Sequence, residues 1–137
     1  MSIDTIGNFL TIIRNGIMAS KPFVVAPHSK VIMAIARVLH REGFINDVQE
    51  LVNERNLKFV KIALRYVDGE SAIHQITRQS KPSCRRYEKI KNLKPTAGKF
   101  GITILSTSRH GITSDKEAKD ASSVKGIAGG EVICTVW

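Results

Sequence analysis

The run Ile102-Thr103-Ile104-Leu105 constrains the fold most, because apolar and β-branched residues in unbroken succession, bounded upstream by Gly101, suit a buried strand. It runs into Ser106, Thr107 and Ser108, then Arg109, His110 and Gly111, so the strand is expected to deliver three hydroxyls to a loop. One short turn offers only one or two local partners to such side chains, which leaves at least one hydroxyl for something outside the chain. An ordinary polar turn is the competing reading.

Upstream, the elements announce themselves by spacing. Ile3, Ile6, Leu10, Ile13 and Ile17 recur at steps of three and four, with Asp4 at the start and Gly16 near the end, which predicts an amphipathic helix. Arg14, Asn15 and Lys21 fall at its C-terminal end, where a cation complements the helix dipole. Phe23 to Ala26 reads as a short strand closed by Pro27. Ser29 can cap a second helix that carries Val31, Ile32, Ile35 and Leu39 and ends at Gly43. Lys30 lies in its first turn, a place the dipole disfavours, and so suits a phosphate better than the fold. Phe44 to Val52, the turn Asn53 to Asn56, and Leu57 to Tyr66 predict a hairpin, since Val60, Ile62, Leu64 and Tyr66 alternate with Lys61, Ala63 and Arg65.

Helix, strand, helix, strand, strand is the pattern of an α+β unit, and Asp68-Gly69 marks its end. The expected organisation is two small packed halves, residues 1–67 and a mainly β half with one short helix over 68–137. In the second half Ile73 and Ile76 suggest a short strand. Ser114-Asp115-Lys116-Glu117 is a capping-box signature for a short helix to about Ala121. Ser122 to Gly130 reads as a Ser- and Gly-rich connection, and Glu131 to Trp137 as a final strand with two largely apolar faces.

Charge points to the partner. The 137 residues carry 21 Lys and Arg against 12 Asp and Glu, a formal net charge of +9, which favours a polyanion. Eight of the cations (78, 81, 85, 86, 89, 91, 94 and 99) fall between Arg78 and Lys99 against the single acid Glu88, with Pro82, Tyr87 and Pro95 interleaved. That density favours a phosphate-contacting surface over a merely solvated face, and Tyr87 can either stack on a base or anchor the sheet. No apolar stretch approaches the ~20 residues of a membrane span, so nucleic acid is favoured over a membrane. Cys84 and Cys134 stand far apart, and the histidines at 28, 40, 74 and 110 show no metal-ligand spacing, so neither metal nor cofactor is expected. No GxSxG elbow surrounds a serine, and Gly98-Lys99 lacks both the upstream glycine and the following Ser or Thr of a phosphate loop. The chain is therefore read as a binding protein and not an enzyme; a basic hydrolase using a loop serine is the alternative from another class.

Taken in order, Asp4-Thr5-Ile6 with Ile13-Arg14-Asn15-Gly16, Pro27-His28-Ser29-Lys30, Glu42-Gly43-Phe44-Ile45, Ser80-Lys81-Pro82 with Arg85 and Tyr87, Leu105-Ser106-Thr107-Ser108, and Gly129-Gly130-Glu131-Val132 resemble bacterial-type small-subunit ribosomal protein eight over essentially the whole chain. The resemblance implies two α/β halves and early, direct binding to the central domain of small-subunit rRNA, mainly through the C-terminal half. It also implies neighbouring small-subunit ribosomal proteins as partners and a ribosome in a bacterial cytoplasm or in an organelle. In some bacterial members it implies repression of their own operon through an mRNA element that imitates the rRNA site; an mRNA repressor is thus the alternative within nucleic-acid binding. Where the family has Pro-Gly this chain has Pro82-Ser83, and where it has Gly-x-Gly this chain has Lys99-Phe100-Gly101.

The candidate RNA contacts are Ser29, Lys30, Lys81, Pro82, Arg85, Arg86, Tyr87, Ser106, Thr107, Ser108, Gly111 and Glu131. Lys30, Lys81, Arg85 and Arg86 are assigned to phosphates, and Ser106-Thr107-Ser108 to groove edges and ribose hydroxyls. Glu131 is an acid in a basic half, and phosphates repel it, so it needs a donor close by. The donor is expected from the Ser106-Thr107-Ser108 loop or from the RNA, the alternative being a solvated acid on a strand edge.

Overall fold

The structure, a computed structural model, describes residues 4–81, 83–89, 101–107, 111–118 and 129–137. The fold is mixed α+β and divides into two compact units, Met1–His74 and Gln75–Trp137.

The first unit opens with helix α1 (Thr5–Met18), strand β1 (Phe23–Pro27), helix α2 (Lys30–Arg41) and the hairpin β2 (Ile45–Val52) and β3 (Lys58–Leu64). Both helices start where a short polar side chain meets a free backbone N–H. Asp4 accepts from Gly7 at 3.2 Å and Ser29 accepts from Ile32 at 3.1 Å. Helix α2 stops in a Schellman arrangement: Gly43 sits at φ 83°, its N–H reaches the His40 carbonyl, and the Phe44 N–H reaches that of Leu39. The strands form an antiparallel sheet in the order β1-β3-β2. Val24, Ala26, Val60, Ile62 and Leu64 are buried on the helix side with Leu10, Ile13, Ile32, Ile35 and Leu39. The predicted continuation of β3 to Tyr66 is broken at Arg65, whose guanidinium turns away to the Gly43 carbonyl at 2.8 Å. Tyr66 instead begins a small hairpin, β4 (Tyr66–Val67) and β5 (Glu70–Ser71), around Asp68-Gly69. The expected boundary at 67/68 thus falls inside a hairpin that belongs whole to the first unit.

The second unit contains β6 (Ile76–Arg78), β7 (Tyr87–Lys89), β8 (Ile102–Thr107), β9 (Gly111–Ser114) and β10 (Gly129–Val136). Its sheet runs β6-β10-β8-β9, and β7 pairs with β10 on the edge that β6 also uses. Ile76, Ile102, Ile104, Leu105, Val132, Cys134 and Val136 form its core.

Four expectations are corrected. The strand predicted around Ile73 starts at Ile76, because the Ile73 N–H is taken by the Ser71 hydroxyl at 3.2 Å. Strand β8 continues through Ser106 and Thr107, which are paired residues and not a loop, because β9 folds back and opposes them with Ile112 and Gly111. Strand β10 begins at Gly129, two residues earlier than expected, so Gly129 and Gly130 belong to the sheet. Finally, the strict alternation expected after Glu131 is broken by a bulge at Ile133, where the register against β8 shifts between Val132 and Cys134. The capping box forms in part: Ser114 accepts from Glu117 N–H at 3.3 Å, but the Glu117 carboxylate accepts from the Thr113 hydroxyl at 2.9 Å. Residues 115–118 are helical; the rest of the predicted helix and the connection up to 128 lie outside the described residues.

Candidate nucleic-acid interface

The site is built across the second unit's sheet. Tyr87 on β7 pairs with Glu131 on β10, Glu131 pairs with Ser106 on β8, and Ser106 pairs with Ile112 on β9. Side chains directly opposite in antiparallel strands project from the same face, so these four residues make one row. Tyr87 is exposed, Ser106 is half-buried and the Glu131 side chain is 21% exposed. Three candidates that lie far apart in the chain are thereby brought side by side.

Two glycines make this row possible. A Cβ on Gly130 would run into the Ser106 carbonyl oxygen, and one on Gly129 into that of Glu88. With hydrogen in those places β10 lies close against both neighbours.

The donors to Glu131 are not those expected. The Ser80 hydroxyl donates to Glu131 Oε1 at 2.7 Å, and the Arg85 guanidinium donates to the same oxygen at 3.0 Å. The chain between β6 and β7 arranges this. Gln79 N–H bonds to the Ile133 carbonyl and Val132 N–H to the Arg86 carbonyl, so the edge of β10 stays paired where the chain leaves it. Between these points Lys81 and Cys84 exchange two backbone hydrogen bonds of 3.0 Å and close a short excursion. That excursion leaves Lys81, Arg85 and Arg86 exposed beside the row. Ser80, at its root, is only 3% exposed; it also accepts from Arg86 N–H at 3.1 Å, while its own carbonyl accepts from Arg78 Nε at 2.6 Å. Sequence reading missed Ser80 as a site residue. Its signal was its place immediately before Lys81-Pro82, and no periodicity separates such a serine from a turn residue.

The remaining candidates are placed as follows. Thr107 is buried, and its hydroxyl donates to the Gly111 carbonyl at 3.0 Å, which fastens the β8–β9 hairpin. Gly111 is the left-handed residue opposite it, at φ 62°. Arg86 donates from its guanidinium to Gln79 Oε1 at 2.6 Å. Ser29 and Lys30 belong to the first unit, Ser29 as the cap of α2 and Lys30 exposed at its start. Pro82 and Ser108 lie outside the described residues.

The family model described as ribosomal protein S8 matches residues 4–137. The small ribosomal subunit protein uS8 of Rhodopirellula baltica is 43% identical over 138 residues, covering 99% of each chain. The chain belongs to the ribosomal protein S8 family. The uS8 of Buchnera aphidicola is 41% identical over 133 residues, covering 97% of this chain and 96% of its own, and that of Methylococcus capsulatus is 39% identical over the same length. Members of the S8 family are structural proteins, and the chain is not an enzyme. Among the described residues no helix is long and apolar enough to cross a membrane.

Proposed function

We propose that the chain is a structural constituent of the small ribosomal subunit, on a bacterial ribosome, that binds small-subunit rRNA directly in its central domain and aids its assembly. Neighbouring small-subunit ribosomal proteins complete its surroundings. The observation that carries this reading is the Tyr87–Glu131–Ser106 row, flanked by the exposed cations Lys81, Arg85 and Arg86. A flat polar row suits the wide, shallow groove of an RNA helix, where ribose 2′-hydroxyls and base edges are displayed. Tyr87 supplies a face for stacking. Ser106 can donate and accept, while the Glu131 carboxylate only accepts, so it selects 2′-hydroxyls and base amino groups. Lys81, Arg85 and Arg86 neutralise phosphates and set the register, which is a positioning role and carries no sequence information. Lys30 and Ser29 supply a further phosphate contact from the first unit.

Hydroxyl-radical footprinting of small-subunit rRNA with the purified chain tests the proposal. The expected result is one compact protected segment in the central domain, lost on competition with that segment and kept on competition with random duplex. Weak protection spread evenly over the rRNA would overturn it.

A further inference from the structure

A buried hydroxyl with two functional neighbours is rarely idle, and Ser80 is one. It accepts from the Arg86 N–H, donates to Glu131, and lies at the root of the excursion that carries the basic residues. Among the described residues both donors to the carboxylate, Ser80 Oγ and Arg85 Nη1, fall on Oε1. A carboxylate is planar, so pinning one oxygen from two sides also sets the direction of the other. We propose that Ser80 is a positioning residue for RNA recognition: it fixes the Glu131 carboxylate by Oε1 and so turns Oε2 towards the hydrogen-bond donors of the RNA. The inference rests on the reading of Glu131 as an RNA contact and deepens it.

Ser80 suits this role better than Arg85 does. Its side chain is short and buried, so little rotamer freedom is lost in holding the bond. The Arg85 side chain is 50% exposed, and RNA phosphates compete for it. When Arg85 turns to a phosphate, Ser80 remains and the carboxylate keeps its orientation.

The test is a set of variants measured against a central-domain rRNA transcript and a random duplex, with the fold of each checked by circular dichroism. Glu131→Ala is expected to weaken cognate binding about tenfold without weakening the duplex, whose phosphates the carboxylate repels. Ser80→Ala is expected to do nearly the same in the wild-type background and to cost less than twofold in the Glu131→Ala background, because its effect passes through the carboxylate. Glu131→Gln leaves Ser80 in place and does not depend on the alanine chain folding. Ser80 and Arg85 hold the amide by its oxygen, which turns the NH2 group towards RNA donors, so this near-isosteric variant is expected to be as weak as Glu131→Ala.

The outcomes separate cleanly. Glu131→Gln binding like wild type shows an amide free to turn and overturns the positioning role. Equal Ser80→Ala losses in both backgrounds, or no loss beside a weakened Glu131→Ala, also overturn it and leave Glu131 as a contact. An unchanged Glu131→Ala removes the underlying reading, and the role of Ser80 with it.

Discussion

The capping and turn side chains of the first unit bond to backbone groups close by in sequence, whereas those around Glu131 in the second bond side chain to side chain across some fifty residues. Asp4 bonds to Gly7, Ser29 to Ile32, and Asn53 Oδ1 to the N–H groups of Arg55 and Leu57. Of the longer reaches there, Tyr66 Oη to the Lys21 carbonyl and Arg65 to that of Gly43 end on backbone, while His28 Nε2 and Glu50 Oε1 meet side chain to side chain at 3.8 Å. In the second unit Ser80 and Arg85 reach Glu131 from 51 and 46 residues away, side chain to side chain. A bond to backbone satisfies a group that would otherwise lose its partner on folding, so it stabilises an element. A bond between two side chains sets the direction of a functional group, and it exists only once the sheet has brought the strands together. The first arrangement fastens a fold and the second prepares a surface.

The largest effect expected to sharpen this comparison is at the glycines. Gly130→Ala drives a methyl into the Ser106 carbonyl, a backbone atom of the central strand, and is expected to cost about 3 kcal/mol, the upper end for overpacking. Gly16→Ala in α1 meets a methyl of the Val24 side chain and not a backbone atom, and regains about 1 kcal/mol of helix propensity. It is expected to cost clearly less. Urea unfolding of the two variants measures the difference, and equal losses would mean that the second unit yields as easily as the first.

Next in size is the cap of α2. Ser29→Ala is expected to lower stability by about 1 kcal/mol, with Ser29→Asp restoring most of it, because the bond to Ile32 asks only for an acceptor. Full recovery of stability by Ser29→Asp together with loss of RNA affinity would show that Ser29 or Lys30 also meets phosphate, since an added carboxylate repels it.

Thr107 and Ser106 are adjacent on β8, and their side chains face opposite sides of the sheet. Thr107→Val keeps the shape and removes the bond to Gly111, so about 0.5–1.5 kcal/mol of stability should go while cognate RNA binding stays within twofold. Ser106→Ala is expected to show the reverse, a several-fold loss on cognate RNA with an unchanged melting temperature. Identical behaviour of the two in a paired melting and binding assay would dissolve the distinction between fastening and recognising residues.

The smallest effect is in the salt dependence. Removing the charge of Lys81 should reduce the slope of log affinity against log salt by about 0.7 to 0.9, one phosphate contact. Arg85→Ala should reduce it less, because Glu131 already offsets part of the Arg85 charge at 3.0 Å. An equal change for Arg85 and Lys81 would mean that RNA binding takes the guanidinium away from the carboxylate entirely.

The sequence by itself determined the α+β class, both helices with their capping residues, the β2–β3 hairpin and the stop at Gly43, as well as the concentration of positive charge between Arg78 and Lys99. These are legible because their causes act within about four residues: apolar spacing, a hydroxyl three residues before the N–H it caps, a glycine at a positive φ. Only the tertiary structure decided that Ser106 and Thr107 belong to a strand, that β10 starts at Gly129 and bulges at Ile133, and that Ser80 and Arg85 hold Glu131. Where a strand ends depends on which distant strand offers it hydrogen-bonding partners, and Thr107 is paired because Gly111 comes back to face it. Likewise, a serine becomes a positioning group only when an edge ladder places it beside a carboxylate 51 residues on. Such contacts are set by how the sheet assembles, and no local pattern of residues encodes them.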